Sequence, residues 1–287
     1  AEVAWQTLSP QEPNLFFVPK DFSLQEEYNK GFKVDELMKT FSSGIETGRD
    51  EIFIGNTEDE VKQKVKEIFD NPQILKTKYG LKEDSSYKLL HYIKEVSYQE
   101  DKIYPIIYRP FNFVYVYYDK ILLRRPFYDV MRHLQKGEGR NLALVLTRQF
   151  GGGKHFIVLS TNQLIERASQ PFAPYNVFPL YLYPSESELG FDTERKTNLD
   201  ETIWRTIENW VKYSEAFRPK TANEQAGLLG FDAEPEHPHF LAPEDIFDYI
   251  YGVLHSPAYR AKYKEFLKVD FPRIPYPKDK TEFEHFR

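Results

Sequence analysis

Apolar positions along the chain change period twice. In 57–70 the residues Val61, Val65, Ile68 and Phe69 recur every three to four positions, the spacing of one helix face, and Thr57 followed by Glu60 is the capping-box pattern that would start it. A second helix is expected over 85–96 on Leu89, Leu90 and Ile93, and a short one over 35–40; 15–18 and 52–54 read as short strands. From Ile103 the period shortens to two. Stretches rich in Tyr, Val, Ile and Phe predict strands over 103–109, 113–118 and 121–124, with Asp119-Lys120 as the turn before the last. Pro126 then opens a helix to about Gln135. Segments 142–149 and 155–160 predict a hairpin around Phe150-Gly151-Gly152-Gly153-Lys154; 177–183 is a further strand and 184–199 a polar surface loop. Helical spacing returns in 200–213, with Trp204 and Trp210 expected in the core, and in 243–255. Ser256-Pro257 restarts a helix to about Val269, and 271–280 is proline-rich and extended.

This order of elements predicts an α+β fold: a central, mostly antiparallel or mixed sheet built from hairpins, helices on the N-terminal side and a helical C-terminal region. A length of 287 residues, 41% hydrophobic, suits one large or two modest domains. No run approaches the ~20 apolar residues of a membrane span, and the first ten residues lack the pattern of a secretion signal. With no cysteine, disulfides and Cys-ligated zinc are excluded, and a cytoplasmic location is expected. The absence of an initiating Met leads us to expect a fragment of a longer polypeptide.

Charge changes the picture more. The whole chain carries −6, yet residues 102–155 hold ten Lys and Arg against three Asp and Glu, interleaved with ten Tyr and Phe. A basic stretch on an acidic body points to a polyanion, because Lys and Arg supply sequence-independent attraction to phosphate while Arg, Asn and Gln also read base edges.

Candidate catalytic patterns are weak by comparison. Gly151-Gly152-Gly153-Lys154 lacks the spacing and following Ser or Thr of a phosphate loop, and a turn needing positive φ explains it more simply. Asp50, Glu60 and Lys62 loosely resemble a nuclease constellation, but Glu60 belongs to a solvated helix face. His237-Pro238-His239 offers no third metal ligand at a defined spacing. The hydrolase elbow, the zinc-protease helix and the dinucleotide fingerprint are missing, and Asn71-Pro72-Gln73-Ile74 lacks the second proline and aromatic ring of an adenine-methylation loop. No catalysis and no metal are expected in this chain.

Several strings carry a family likeness. Tyr108-Arg109-Pro110-Phe111-Asn112, then 115–119, Leu123-Arg124-Arg125-Pro126 and Val130-Met131-Arg132-His133, together with 43–50, 178–183, 243–260 and 270–275, resemble the C-terminal specificity region of Type ISP restriction-modification enzymes and related adenine-N6 methyltransferases. The order and spacing extend over nearly the whole chain. It departs from the pattern at Asn112, where Asp is usual, and at Val114 and Phe127, where Arg is frequent. The resemblance implies three stretches of one target-recognition unit: 1–100, linking to an absent upstream methyltransferase; 101–199, a β-rich DNA-recognition core; and 200–287, helices packed on that core. It further implies recognition of double-stranded DNA and, in the absent parent domains, S-adenosylmethionine, ATP and Mg, with no cofactor here.

The candidate DNA contacts are Thr47, Arg49, Arg109, Asn112, Arg124, Arg125, Lys136, Arg140, Arg148, Gln149 and Lys154. Arg109, Arg124, Arg125 and Arg148 stand at or beside expected strand ends, where a guanidinium fork can reach guanine or clamp a phosphate. Gln149 and Asn112 can pair with adenine, and Lys136, Arg140 and Lys154 suit the backbone. Thr47, Arg49 and Asp50 either enter a groove or cap the next element. Two other readings stay open: a protein-interaction module docking on a methyltransferase, and a magnesium-dependent nuclease fragment using Asp50 and Glu60.

Overall fold

The computed structural model describes residues 7, 23–83, 86–135, 140–148, 157–167, 174–185, 194–211 and 241–287. Two four-stranded sheets and two ribbons organise them. One ribbon pairs β1 (Phe32–Lys33) with β12 (Arg273–Ile274); the other pairs β10 (Tyr181–Leu182) with β11 (Lys196–Thr197). In the first sheet β2 (Ser42–Ser43), β9 (Tyr175–Pro179), β6 (Ala143–Thr147) and β7 (Val158–Thr161) lie side by side in that order, all antiparallel. The second sheet has the order β3 (Ile54–Gly55), β5 (Asn112–Tyr117), β4 (Ile103–Arg109) and β8 (Leu164–Ile165), with β8 parallel to β4. The helices are α1 (Gln25–Asn29), α2 (Val34–Leu37), α3 (Asp50–Phe53), α4 (Glu58–Asp70), α5 (Ile74–Thr77), α6 (Leu89–Tyr92), α7 (Tyr128–Gln135), α8 (Glu201–Val211), α9 (Pro243–His255), α10 (Pro257–Lys262) and α11 (Lys280–Phe286). Mixed sheets flanked by helices make this the α+β fold that the patterning predicts.

Strand β6 explains how the halves hold together. Every residue of Ala143–Thr147 is buried, the mark of a strand covered on both faces, and side chains alternate sides with period two. Leu144 and Leu146 enter one core with Val158 and Phe178 of the same sheet, with Ile246, Phe247, Ile250 and Leu254 from the C-terminal helices, and with Tyr28, Phe32, Val34, Leu37 and Met38 from the chain's start. Ala143 and Val145 enter the other, with Ile106, Val116, Val177 and the faces of α4 and α7. Each fully buried Leu, Ile or Phe contributes about 1.5–3 kcal/mol by leaving water.

The two sheets are stitched by residues 42–47. Ser42 and Ser43 pair with β9; the Ile45 N–H then donates to Ile165 O (2.8 Å), and the Ile45 carbonyl accepts from Arg167 N (2.8 Å). Glu46 and Arg125 exchange both backbone hydrogen bonds (3.0 and 2.9 Å), and Arg124 N donates to Thr47 O (3.2 Å). This stretch is therefore a seam between β9, β8 and the 124–125 turn.

Several local expectations change. No strand follows Asp119: its carboxylate accepts from the N–H groups of Ile121 (2.7 Å) and Leu122 (3.0 Å), closing an Asx turn that redirects Arg124 and Arg125 to the seam. The hairpin turn belongs instead to Pro110-Phe111, between β4 and β5. The helix expected over 85–96 contracts to Leu89–Tyr92, since the preceding Tyr87 is drawn into the core and its hydroxyl donates to Leu122 O (2.8 Å). The 52–54 strand begins as the single helical turn α3 and becomes extended only at Ile54. Trp210 is 52% exposed while Trp204, six residues earlier, is buried; the apolar stripe of α8 runs through Trp204, Ile207 and Val211 and leaves Trp210 outside it. Lys196–Thr197 of the expected surface loop pairs as β11, and α11 follows the proline-rich stretch, started by Asp279, whose carboxylate accepts from Glu282 N (2.9 Å). Thr57 caps α4, its hydroxyl accepting from Glu60 N (3.2 Å), but the reciprocal half of the expected capping box is replaced, since the Glu60 carboxylate accepts from Asn56 N (2.8 Å) instead of Thr57 N. The 15–18 strand, the glycine turn at 150–154 and His237-Pro238-His239 lie outside the described residues.

Candidate nucleic-acid interface

Strand directions bring the basic residues to one edge. Parallel β4 and β8 end at Arg109 and Ile165, and β6 ends at Thr147, opposite Tyr175 where β9 begins. Gly44 N donates to Tyr175 O (3.2 Å) and Tyr175 N to Arg167 O (3.0 Å), so these ends meet along the seam. Gly44 is confined there: a Cβ on it would stand 2.7 Å from Glu166 O and 2.8 Å from Arg167 N, both backbone.

Along that edge Glu46 serves three guanidinium groups. Its carboxylate stands 3.0 Å from Arg167 Nη1, 3.4 Å from Arg125 Nη1 and 3.7 Å from Arg124 Nε. Beside it Arg109 Nη1 donates to Glu166 Oε2 (2.7 Å) and the guanidinium lies 4.0 Å from the centre of the Tyr108 ring. Arg49 is 3.6 Å from Glu51 and donates to Lys82 O (3.5 Å). These side chains remain between a quarter and a half exposed. The partly exposed pairs around Glu46 are worth ~0–1 kcal/mol, little enough for a phosphate or guanine edge to take over those guanidinium forks, whereas Arg109 is held by the buried Glu166 carboxylate. One carboxylate among three arginines leaves positive charge in excess at the seam.

Asp50 anchors the ends of this edge. Its carboxylate accepts from the Thr47 hydroxyl and from Tyr108 Oη (2.7 Å). Burial first, then the bond to Asp50 and its charge, push the Tyr108 hydroxyl up to about 12, so at neutral pH it stays a donor. Thr47 is 1% exposed and also accepts from Arg49 N (3.1 Å). It braces the turn rather than presenting itself to a groove. Glu60 is occupied elsewhere, by Lys64 (2.5 Å) and Asn56 N (2.8 Å), so the carboxylates of the nuclease reading do not converge. Among the described residues no group of three His, Asp or Glu side chains is placed to hold a metal ion.

The β4–β5 hairpin projects from the same edge. Register pairs Ile107 with Phe113 and Arg109 with Asn112, leaving Tyr108 as an extra residue, a bulge that bends the tip. Its two-residue loop is Pro110-Phe111. Proline fixes φ near −65°, which forbids the turn types usual in such hairpins, and Phe111 takes φ +64°, the value of the third residue of a type II turn. Glycine is the ordinary occupant; for phenylalanine this conformation costs about 1 kcal/mol. Phe111 is 86% exposed, Phe113 61%, and Asn112 between them is exposed.

Other expected contacts lie apart. Arg148, just beyond β6, is tied to Asp270 (2.7 Å). Arg140 is exposed at the opposite end of β6, next to Asn141, whose amide bonds His133 O and Tyr181 O. Lys136, Gln149 and Lys154 lie outside the described residues. Arg167, Glu46 and Glu166 were not among the expected residues; a lone Glu-Arg pair after two apolar residues gives no sign that the chain will fold back onto 45–46.

The family model for the Type ISP C-terminal specificity domain matches residues 36–287. A DrdV–DNA complex solved by cryoEM shares 25% identity over 87% of this chain, with TM-score 0.58. The ATP-dependent Type ISP restriction-modification enzyme LlaBIII bound to DNA has TM-score 0.66 at 20% identity over 97% of the chain. A nuclease-deletion mutant of the Type ISP enzyme LlaGI with a DNA substrate mimic has 0.57 at 18% over 95%. This chain spans 22%, 17% and 23% of the length of those three. No curated protein matches. No helix among the described residues is long and apolar enough to cross a membrane. With its matched span taking in both sheets, the seam and the C-terminal helices, the chain belongs to the Type ISP C-terminal specificity domain family.

Proposed function

We propose that this chain is the target-recognition domain of a restriction-modification enzyme, which lays the seam edge along double-stranded DNA and has no turnover of its own. The observation that carries the reading is the gathering of Arg109, Arg124, Arg125 and Arg167 from three separate chain segments onto one partly exposed edge around Glu46 and Glu166. The solved relatives with DNA support it. In the same reading the recognised duplex is presented to a methyltransferase domain of the longer polypeptide, which binds S-adenosylmethionine and modifies an adenine, while ATP and Mg serve other parent domains. DNA recognition fits better than a purely structural module, because an apolar docking face has no use for three arginines sharing one carboxylate.

The test is fluorescence anisotropy of a labelled duplex of mixed sequence across a salt series. Binding is expected to weaken steeply with salt. Replacing Arg124 and Arg125 together with Ala is expected to lower affinity about tenfold or more near 0.1 M salt and to flatten the log–log slope by ~1–2, since each lost phosphate contact removes about 0.9. Thermal melting should hardly move, because both residues keep their backbone bonds to the seam. An unchanged salt slope would take them off the contact surface.

A further inference from the structure

We propose that Phe111 is a wedge that enters a base step of the bound duplex and unstacks it. The inference rests on the DNA reading above and goes beyond it, from attraction at an edge to deformation of the helix. Three observations meet at the β4–β5 tip. First, Phe111 is 86% exposed with Phe113 exposed near it, so the tip offers a bare aromatic surface that nothing among the described residues covers. Second, Phe111 holds a left-handed φ of +64° at the hairpin turn, where glycine would sit without strain, so the turn gains nothing from the phenyl ring. Third, the arms of the hairpin are fastened: Tyr108 Oη donates to Asp50 (2.7 Å), Arg109 donates to Glu166 (2.7 Å), and the bulge at Tyr108 re-aims the tip. An exposed ring on a rigid, prestrained support is what insertion requires, since a mobile tip would lose its ordering entropy on binding.

The charge around the tip selects the partner. Arg109 adjoins the turn, and Arg124, Arg125 and Arg167 lie along the same edge, so the aromatic pair is framed by groups that attract phosphate. Proteins that deform duplexes combine such phosphate clamps with apolar side chains pushed between base pairs, and pyrimidine–purine steps yield most readily. Another protein domain seated on the tip is the competing occupant.

The experiment uses the 287-residue chain and a duplex obtained by binding selection from a library with a randomised centre. 2-Aminopurine is then placed at each position in turn, and its fluorescence is read with wild-type protein and with Phe111→Gly, Phe111→Ala and Phe111→Trp. Wild type is expected to raise the fluorescence several-fold at one step. Phe111→Gly and Phe111→Ala should abolish that rise and weaken binding several-fold, and Phe111→Trp should keep both. The melting temperature of Phe111→Gly should equal or exceed the wild-type value, which separates loss of the ring from loss of the fold. Tight binding with no fluorescence rise at any position, or a rise that survives in Phe111→Gly, overturns the wedge and leaves the recognition reading standing. Wild-type protein that binds no duplex at any salt concentration overturns both. Intact DNA distortion by Phe111→Gly together with lost association to a methyltransferase domain assigns the tip to the protein partner and likewise overturns the proposal.

Discussion

The two sides of the central sheet use ionic groups for opposite ends. On the helical side Asp270 joins remote parts of the chain: it accepts from Lys33 (2.7 Å), 237 residues away, and from Arg148 (2.7 Å), beside the β1–β12 ribbon that closes the chain's start onto its end. On the seam side Glu46 joins residues already held together by backbone bonds, and it gathers more cations than it can neutralise. The first arrangement consumes charge to fasten the fold. The second leaves charge outward-facing and so has something to offer a ligand. A basic residue at a strand end is thus no guide to function until its carboxylate and the role of that carboxylate are known.

Substitutions can break or sharpen this contrast. The largest effect is expected from Gly44→Ala, whose Cβ would meet the Glu166–Arg167 backbone in the seam. Destabilisation of roughly 2–3 kcal/mol and a Tm fall of roughly 5–10 °C should accompany lost DNA binding, because Ile45 and Glu46 must move with it. Gly252→Ala is the counterpart on the other side, where the new Cβ would fall on Phe286 O and push α11 away from α9. Calorimetry should register about 1–3 kcal/mol, yet the folded protein should keep its affinity for duplex. If Gly252→Ala weakened DNA binding as much as Gly44→Ala, the two sides would not be functionally distinct.

Asp270→Asn is the smallest and the most informative about sign. Burial alone would raise this carboxyl, but hydrogen bonds from Lys33 and Arg148 prevail and hold it at about 2. A folded pKa below the unfolded value of ~3.9 stabilises above that value, and the contribution disappears as pH falls toward 2. With solvent screening of this partly exposed site, the variant should lose about 1 kcal/mol at pH 7, and the gap from wild type should close on acidification between about pH 4 and 2. A gap that widened with acid would contradict the role of Asp270 as an ionised clasp.

What the chain's pattern made legible followed from local periodicity. The α4 cap at Thr57, the helix Pro243–His255, the restart at Ser256-Pro257 and the strands of the 103–117 and 143–161 hairpins are each written in a few neighbouring residues. The family motif at 43–50 also marked the seam by position. The pattern fails where side-chain hydrogen bonds decide: the Asp119 carboxylate caps Ile121 and Leu122 and so replaces the expected hairpin turn, and Tyr87 cuts short a helix by donating to Leu122, 35 residues away. At the site, Arg109, Arg124 and Arg125 could be nominated from charge and strand ends. Glu46, Glu166 and Arg167 could not, since their importance comes from a parallel bridge between residues 121 positions apart. Thr47 was nominated for its hydroxyl, but burial turned that hydroxyl inward.

The seam also constrains how such a surface can change. Residues 42–47 are gripped through their main chain by β9, β8 and the 124–125 turn at once, so lengthening or shortening them by one residue would put every later partner out of step. Exchanging the side chains at 109, 112, 124, 125 and 167 disturbs none of those bonds. If that edge reads DNA as proposed, new target preferences would be within reach of point substitution on an unaltered frame, while insertions there would unfasten one sheet from the other.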